Sequence, residues 1–274
     1  MTSDVLAYAI EHGVNYIFHS TDLHAGLYAR SESTLKKFVR RSSRKRDQVI
    51  LAAASYVCDA EKILGVVVDQ MTALQVDYVD VFHWGWITRN NGPESLISRT
   101  QDALRSDEGR AYIDNFMNSA RQVRDELRCR GYARFLGIST HDRTLALELA
   151  KNPLVDVVMF RYNLAHRGAE QQIFSSLPTN RPGTIAFNTS HDGLGPLTEP
   201  PPGLPAGRYR PSQGDLYRFA LDRPEIDVVL TGPTTREHVD ASLEALKREP
   251  LDPLLYEYLC KYGSLHSGHV QVAK

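Results

Sequence analysis

Five places in the chain gather groups able to move protons or hold a polar ligand, each just after a short apolar run. They are His19, Asp22 and His24; His83; His141 with Asp142; Arg161 with Asn163; and His191 with Asp192. Imidazoles and carboxylates are the side chains whose pKa burial or pairing readily moves toward neutrality, so such clusters suit general acid and base chemistry. Trp84 and Trp86 follow His83 two residues apart and face the same way on a regular strand, where they either stack on a planar ligand or fill a core layer. Asp142 has the type and place of a helix N-cap before Arg143, a structural alternative to a role in chemistry. The turn from Thr231 through Gly232 and Thr234 to Arg236 offers hydroxyls and a guanidinium at a helix start, which holds a phosphate or merely caps the helix. His19, Asp22 and His24 with His83 or His141 supply ligand types that zinc or iron accept, but the spacing matches no metal motif and no metal is assigned.

These groups need a scaffold that brings strand ends together. The run Asp77 to Trp86 follows a helical pattern, is rich in β-branched residues and reads as a buried strand with its polar groups at the C-terminal end. Strands are expected at 15–19, 48–54, 79–84, 133–139, 155–160, 184–188 and 228–230, and helices at 4–12, 31–41, 61–74, 109–130, 143–150, 170–177, 215–221, 237–247 and about 252–262. Strand-helix alternation requires a parallel sheet. The expected class is α/β, a (β/α) barrel in one domain over 1–274, with one strand unit short of eight. Barrels place their chemistry at the C-terminal ends of the strands, where the five clusters fall. The Pro- and Gly-rich stretch 193–211 lacks periodicity and reads as a long loop over the mouth. The run Arg40 to Arg46 is read as a solvated helix end rather than a phosphate patch.

Composition narrows the class. At 274 residues, 42% hydrophobic and 24% charged, the chain suits one soluble globular core, and a net charge of -1 gives no general attraction to nucleic acid or a membrane surface. The three cysteines form no CxxC pair, which fits a reducing cytoplasm. No apolar run approaches a membrane span. The expected partner is a small, partly apolar molecule; nothing in the sequence excludes a homo-oligomer.

Ala9-Ile10-Glu11-His12-Gly13-Val14-Asn15, Ser31-Glu32, Asp77-Tyr78-Val79-Asp80-Val81, Gly131 to Ser139, Arg161-Tyr162-Asn163-Leu164 and Leu230-Thr231-Gly232-Pro233 occur in the order of the aldo-keto reductase superfamily, which the chain resembles from about Asp4 to about Tyr262. The resemblance implies a (β/α)8 TIM-barrel, NADP as cofactor, and a catalytic tetrad of Asp, Tyr, Lys and His. It also implies a β-hairpin and a first strand before the helix that begins here at Asp4, for which the chain has no room. The Asp falls on His19 or Asp22, and the Tyr on His24 or Tyr28. The Lys falls on Ala54 and the His on Gly85, with His83 two residues earlier on the same strand face. Among the cofactor positions Ser139 is kept, the usual Asn is Thr140, the usual Gln is Met159, and Thr231, Gly232, Thr234 and Arg236 form the phosphate loop.

Loss of the lysine and histidine positions disfavours carbonyl reduction, since each preorganised group is worth about two to four orders of magnitude in rate. The favoured reading is an aldo-keto-reductase-like enzyme performing dehydration, isomerisation or cyclisation, with His19, Asp22, His24, Tyr28 and His83 as proton-transfer candidates. Trp84, Trp86, His141, Arg161, Asn163 and His191 would line the substrate, and Ser139, Thr140, Thr231, Gly232, Thr234 and Arg236 would meet a cofactor. The alternatives are an NADP-dependent oxidoreductase with an altered proton donor and a non-catalytic binding or regulatory subunit.

Overall fold

The structure is a computed structural model and describes residues 2–22, 25–57, 59–85, 107–191, 195–247 and 249–267. His24, Trp86 and Asp192 of the expected site lie outside the described residues, as do Cys58 and the start of the loop at 193. Seven parallel-type strands follow one another in chain order, β1 to β7, as an α/β fold of the (β/α)-barrel kind requires. The chain divides into two compact units, one of residues 1–158 and 178–182, the other of 159–177 and 183–274.

The first unit runs α1 (Ser3–Glu11), β1 (Tyr16–Ser20), α2 (Ala25–Val39), β2 (Ile50–Ser55), α3 (Ala60–Leu74), β3 (Val79–Trp84), α4 (Asp107–Cys129), β4 (Ala133–Thr140) and α5 (Arg143–Ala150). β3 and α5 start and stop where the apolar pattern puts them. α2 begins earlier than expected, at Ala25. Ser31 had marked its start, but its hydroxyl donates back to the Tyr28 carbonyl at 3.1 Å, the use a serine finds inside a helix. Tyr28 is therefore a helix residue.

Parallel pairing of β1 with β2, β2 with β3, and β3 with β4 fixes which side chains share a face. One face carries Phe18, Ala52, Val81 and Phe135 in one row and Ser20, Ala54, His83 and Gly137 in the next. The opposite face carries His19, Ala53, Phe82 and Leu136, then Ser55, Trp84 and Ile138, and the helices cover it. Trp84 is wholly buried there, its ring centroid 5.2 Å from that of Phe116 in α4 and its indole N–H donated to the Val57 carbonyl at 2.8 Å. Burying a large apolar side chain of this kind stabilises by about 1.5–3 kcal/mol. Of the two roles open to it, Trp84 has the packing one.

The basic run ends in an exception to its solvated reading. Arg46 is buried, stacks over Tyr78 with its guanidinium 4.1 Å from the ring centroid, donates to the Val49 carbonyl at 2.9 Å and pairs with Asp80 at 3.0 Å. Asp80 also accepts the Leu51 N–H at 2.9 Å, so the pair ties the start of β2 to β3. Arg41, by contrast, makes an exposed ion pair with Asp77 at 3.2 Å.

β5 (Val157–Arg161) carries the chain into the second unit, which continues with α6 (Ala169–Gln172), β6 (Gly183–Phe187), α7 (Gln213–Leu221), β7 (Val228–Val229), α8 (Arg236–Ala245) and α9 (Pro253–His266). The helix expected over 170–177 is interrupted, because Ile173 leaves helical geometry at φ -120° and ψ -60°. Glu170 there accepts the hydroxyls of Tyr162 at 2.8 Å and Tyr256 at 3.2 Å. α9 packs so closely that a Cβ at Gly263 would lie 1.9 Å from the Leu164 carbonyl oxygen. It also holds the loop expected as a lid: Tyr262 donates to the Glu199 carbonyl at 2.7 Å, and the Tyr258 hydroxyl donates to the Tyr209 carbonyl. Among the described residues no helix is long and apolar enough to cross a membrane.

A Cβ at Gly137 would stand 2.4 Å from His83 Nδ1. Gly137→Ala is therefore expected to destabilise the fold by about 1–3 kcal/mol, as overpacking does. His83→Ala in the same chain should remove most of that cost. Urea denaturation of the two single variants and the double variant measures the coupling, and simple additivity would mean that the ring and the glycine do not constrain each other.

Candidate active site

Asp22 is the hub of the first unit's C-terminal end. Its carboxylate accepts the Ser20 hydroxyl at 2.8 Å, the Ser55 hydroxyl at 2.7 Å and the Tyr56 N–H at 2.8 Å. These donors come from the last residues of β1 and β2 and the residue after β2, so the carboxylate joins two strand ends. Ser55 Oγ also accepts the Val57 N–H at 3.2 Å, which sets the turn out of β2. Tyr28 reaches the same region from α2, with its ring centroid 6.2 Å from that of Phe18 and 5.7 Å from that of His19. Burial pushes the Tyr28 phenol up from its ordinary range. The Tyr56 phenol is pushed up by burial first, then by Tyr28 and by Asp22. Both phenols are neutral hydrogen-bonding groups beside a carboxylate. The position that the resemblance gives to lysine, Ala54, is fully buried, and its carbonyl accepts the Gln70 amide at 2.9 Å.

The two strand histidines His19 and His83 lie on opposite faces of the sheet. His19 is on the helix-covered face, buried, with Nε2 3.9 Å from the Glu32 carboxylate. His83 is on the other face and directed to the foot of β1, where its Nε2 lies 2.6 Å from the Tyr16 hydroxyl. Among the described residues its Nδ1 has no hydrogen-bond partner, and it rests against Gly137. Phe18, whose ring lies 5.6 Å from His83, is the contact the imidazole shares with Tyr28. The structure sets His19 and His83 on opposite faces, with Asp22 at the ends of β1 and β2 and Tyr28 packed beside Phe18 and His19.

In the second unit Asn163 is wholly buried and its amide is fully used. It donates to the Asn188 carbonyl at 2.8 Å and the His191 carbonyl at 2.7 Å, and accepts the N–H groups of Ala165 and His166 at 2.9 and 2.7 Å. An amide offers two donors and one oxygen with two lone pairs, so Asn163 braces the loops after β5 and β6 rather than reaching for a substrate. Arg161 lies 3.4 Å from His166 Nε2, and the side chain of His191 is exposed. In the first unit His141 is exposed beside Asp142, which caps α5 through the N–H groups of Thr144 and Leu145 at 3.0 and 3.1 Å.

The expected cofactor groups answer the chain itself. Thr140 is buried and its hydroxyl accepts the Asp142 N–H at 3.0 Å, while Ser139 is buried on β4 and Met159 on β5. At the start of α8, beyond Thr231 and Gly232, the Thr234 hydroxyl lies 3.1 Å from His238 Nδ1 and Thr235 accepts the His238 N–H. Next to Arg236, the Glu237 carboxyl is held below its ordinary range by its own backbone N–H and the Thr235 hydroxyl. First-turn donors that would meet a phosphate are engaged, and a carboxylate stands among them. Of the expected cofactor groups, Thr140 and the α8 cap at Thr234 are thus engaged within the chain. Among the described residues no three His, Cys, Asp or Glu side chains gather as a metal site.

Burial pulls His19 down from its ordinary 6.5 to about 4 and His83 to about 3. Both stay neutral in the folded chain while the unfolded chain takes up protons below about 6.5. Their contribution to stability is complete above that pH and is lost as the pH falls through about 4 for His19 and about 3 for His83. Each histidine should add about 1.4 kcal/mol per pH unit to the slope of stability below about pH 6. Denaturation series on the wild type, His19→Asn and His83→Gln read this directly; a slope unchanged by either substitution would show that protons reach the folded rings.

Comparison with known proteins adds one kind of relative. No family model matches the chain, and no curated relative does. Among solved structures, the holo form of the aldo-keto reductase AKR11C1 from Bacillus halodurans superposes with a TM-score of 0.67 at 18% identity, over 97% of this chain and 89% of that one. Its apo form gives 0.63 at 20% identity with the same coverage. An aldo-keto reductase from Klebsiella pneumoniae in complex with NADPH gives 0.63 at 18% identity, over 95% of this chain and 84% of that one. At these identities the likeness is one of architecture: the chain has the (β/α)-barrel fold of the aldo-keto reductases.

Proposed function

We propose that the protein is an enzyme acting on a small, partly apolar carbonyl compound by acid-base chemistry centred on Asp22, without hydride transfer. The carrying observation is the grip on Asp22. Its carboxylate takes two hydroxyls and a backbone N–H, where the family pattern would set a lysine beside a tyrosine. A phenol that donates a proton outright must become a phenolate, and the raised Tyr28 makes that step costly. A phenol that only donates a hydrogen bond has no such demand.

The chemistry that suits this arrangement is proton removal from the carbon beside a carbonyl. The C–H bond breaks, its electron pair forms the new C=C bond, and the carbonyl π pair moves to oxygen, which accepts a hydrogen bond from Tyr28. Asp22 receives the proton. It then returns the proton to another carbon for isomerisation, or to a departing hydroxyl for dehydration. NADP, were it bound, would supply hydride, but the groups at Thr140 and at the start of α8 serve the chain's own turn and cap.

Deuterium exchange from D2O into the α-carbons of a panel of small aryl and alkyl ketones, followed by NMR, tests the reading. Asp22→Asn should lower the exchange rate by about two to four orders of magnitude, and Tyr28→Phe by a smaller factor. The absence of catalysed exchange across the panel would sink the proposal. Calorimetric titration with NADPH should show no saturable binding at millimolar cofactor; micromolar binding would favour the oxidoreductase alternative.

A further inference from the structure

We infer that Phe18 and His19 are positioning residues of this site, their rings clamping the Tyr28 phenol from the two faces of β1. The inference rests on the reading of Tyr28 as the hydrogen-bond donor, and it gives His19 a part that needs its ring and not its proton.

Neighbouring residues on a strand point to opposite faces. Phe18 lies in the row of Ala52, Val81 and Phe135, and His19 in that of Ala53, Phe82 and Leu136. Tyr28 nevertheless meets both, its ring centroid 6.2 Å from that of Phe18 at 50° and 5.7 Å from that of His19 at 78°. These are the separations of favourable tilted and edge-to-face ring pairs. A ring that touches both faces of one strand stands beside it, and β2 occupies one side of β1. Tyr28 therefore stands along the edge of β1 away from β2, where neither face alone would hold it.

Each ring of the clamp is backed by further residues. The Ser31 hydroxyl donates to the Tyr28 carbonyl at 3.1 Å, and Glu32, one turn along α2 from Tyr28, brings its carboxylate to 3.9 Å from His19 Nε2. His19 is thus held between two residues of one helix face. Phe18 packs on His83 at 5.6 Å between centroids, and His83 Nε2 lies 2.6 Å from the Tyr16 hydroxyl. Burial pulls His19 down to about 4, which suits a packing ring better than a proton carrier. The position of a phenol oxygen is set entirely by its ring, and a misplacement of about 1 Å costs about a hundredfold in rate.

The test uses the full chain with acetophenone as substrate, and NMR of isotope-labelled tyrosine as a second reading, with Tyr28 identified by the signals lost in Tyr28→Phe. The Tyr28 ring should flip slowly in the wild type and fast in Phe18→Ala and His19→Ala. Deuterium exchange into acetophenone by either alanine variant should fall about tenfold to a hundredfold in kcat with little change in KM, the mark of a misplaced group rather than a lost ligand contact. His19→Phe, which keeps a ring and removes the imidazole, should restore most of the rate and the slow flip, and Phe18→Leu should lie between wild type and Phe18→Ala. Circular dichroism and thermal unfolding establish that each variant is folded, and the wild-type flip rate needs no variant of the clamp. A freely flipping ring in the wild type would overturn the inference. So would His19→Phe as inactive as His19→Ala, which would return proton transfer to His19. Full activity in both alanine variants would overturn it as well and leave Tyr28 as the donor. A clamped ring in a wild type that exchanges no deuterium would instead sink the acid-base reading of the site.

Discussion

The hydrogen bonds to Asp22 are the constraint on which the rest of the site depends. A carboxylate can accept from several donors at once, and here they are the last residue of β1, the last residue of β2 and the residue that follows. One side chain therefore sets the spacing of two strand ends and the direction of the turn out of β2. The turn in turn fixes Val57, whose carbonyl takes the indole of Trp84 at the end of β3. Three successive strands are thus braced at the end where barrels carry their chemistry, by neutral donors, with α2 bringing Tyr28 alongside.

The pleat explains why His19 and His83 do not cooperate. Register sets His83 in the row of Ser20, Ala54 and Gly137, and sets His19 in the row of Ala53, Phe82 and Leu136 on the other face. Once the hydrophobic pattern has chosen a face for each strand, a shift of one residue would turn every side chain over. Neither ring can be brought to the other without undoing the sheet. His83 is buried whole because Gly137 has no side chain and because Tyr16 meets Nε2.

Much of the scaffold was legible in the sequence because periodicity reports burial. β3 and α5 have the boundaries their apolar patterns imply, and Asp142 caps α5 as its type and place suggest. Asp22 and Tyr28 were among the candidates because one alignment of the resemblance sets the family's Asp and Tyr on them. What could not be read was direction. Asn163 looked like a ligand group, and only its four hydrogen bonds show it to be a brace. Ser20, Ser55 and Tyr56 passed unremarked, since hydroxyls at strand ends are common and their convergence on one carboxylate depends on contacts between residues about 33 positions apart. Gly85 was visible as a loss; that a ring fills the space required coordinates.

The proposed acid-base reading rests on how Asp22 is met. A carboxylate with unmet hydrogen bonds at this half-buried position would cost free energy. Instead Asp22 is met by hydroxyls and a backbone N–H at 2.7 to 2.8 Å, and the vacated glycine is covered by an aromatic ring. Burial holds the phenols of Tyr28 and Tyr56 neutral. Such surroundings favour a hydrogen bond to a developing enolate over the formation of a free phenolate, because the low dielectric that penalises charge on tyrosine strengthens the hydrogen bonds it donates. On the proposed reading, the same burial that makes Tyr28 a poor outright acid makes it a suitable donor to an oxygen that gains charge gradually, as it does in enolisation.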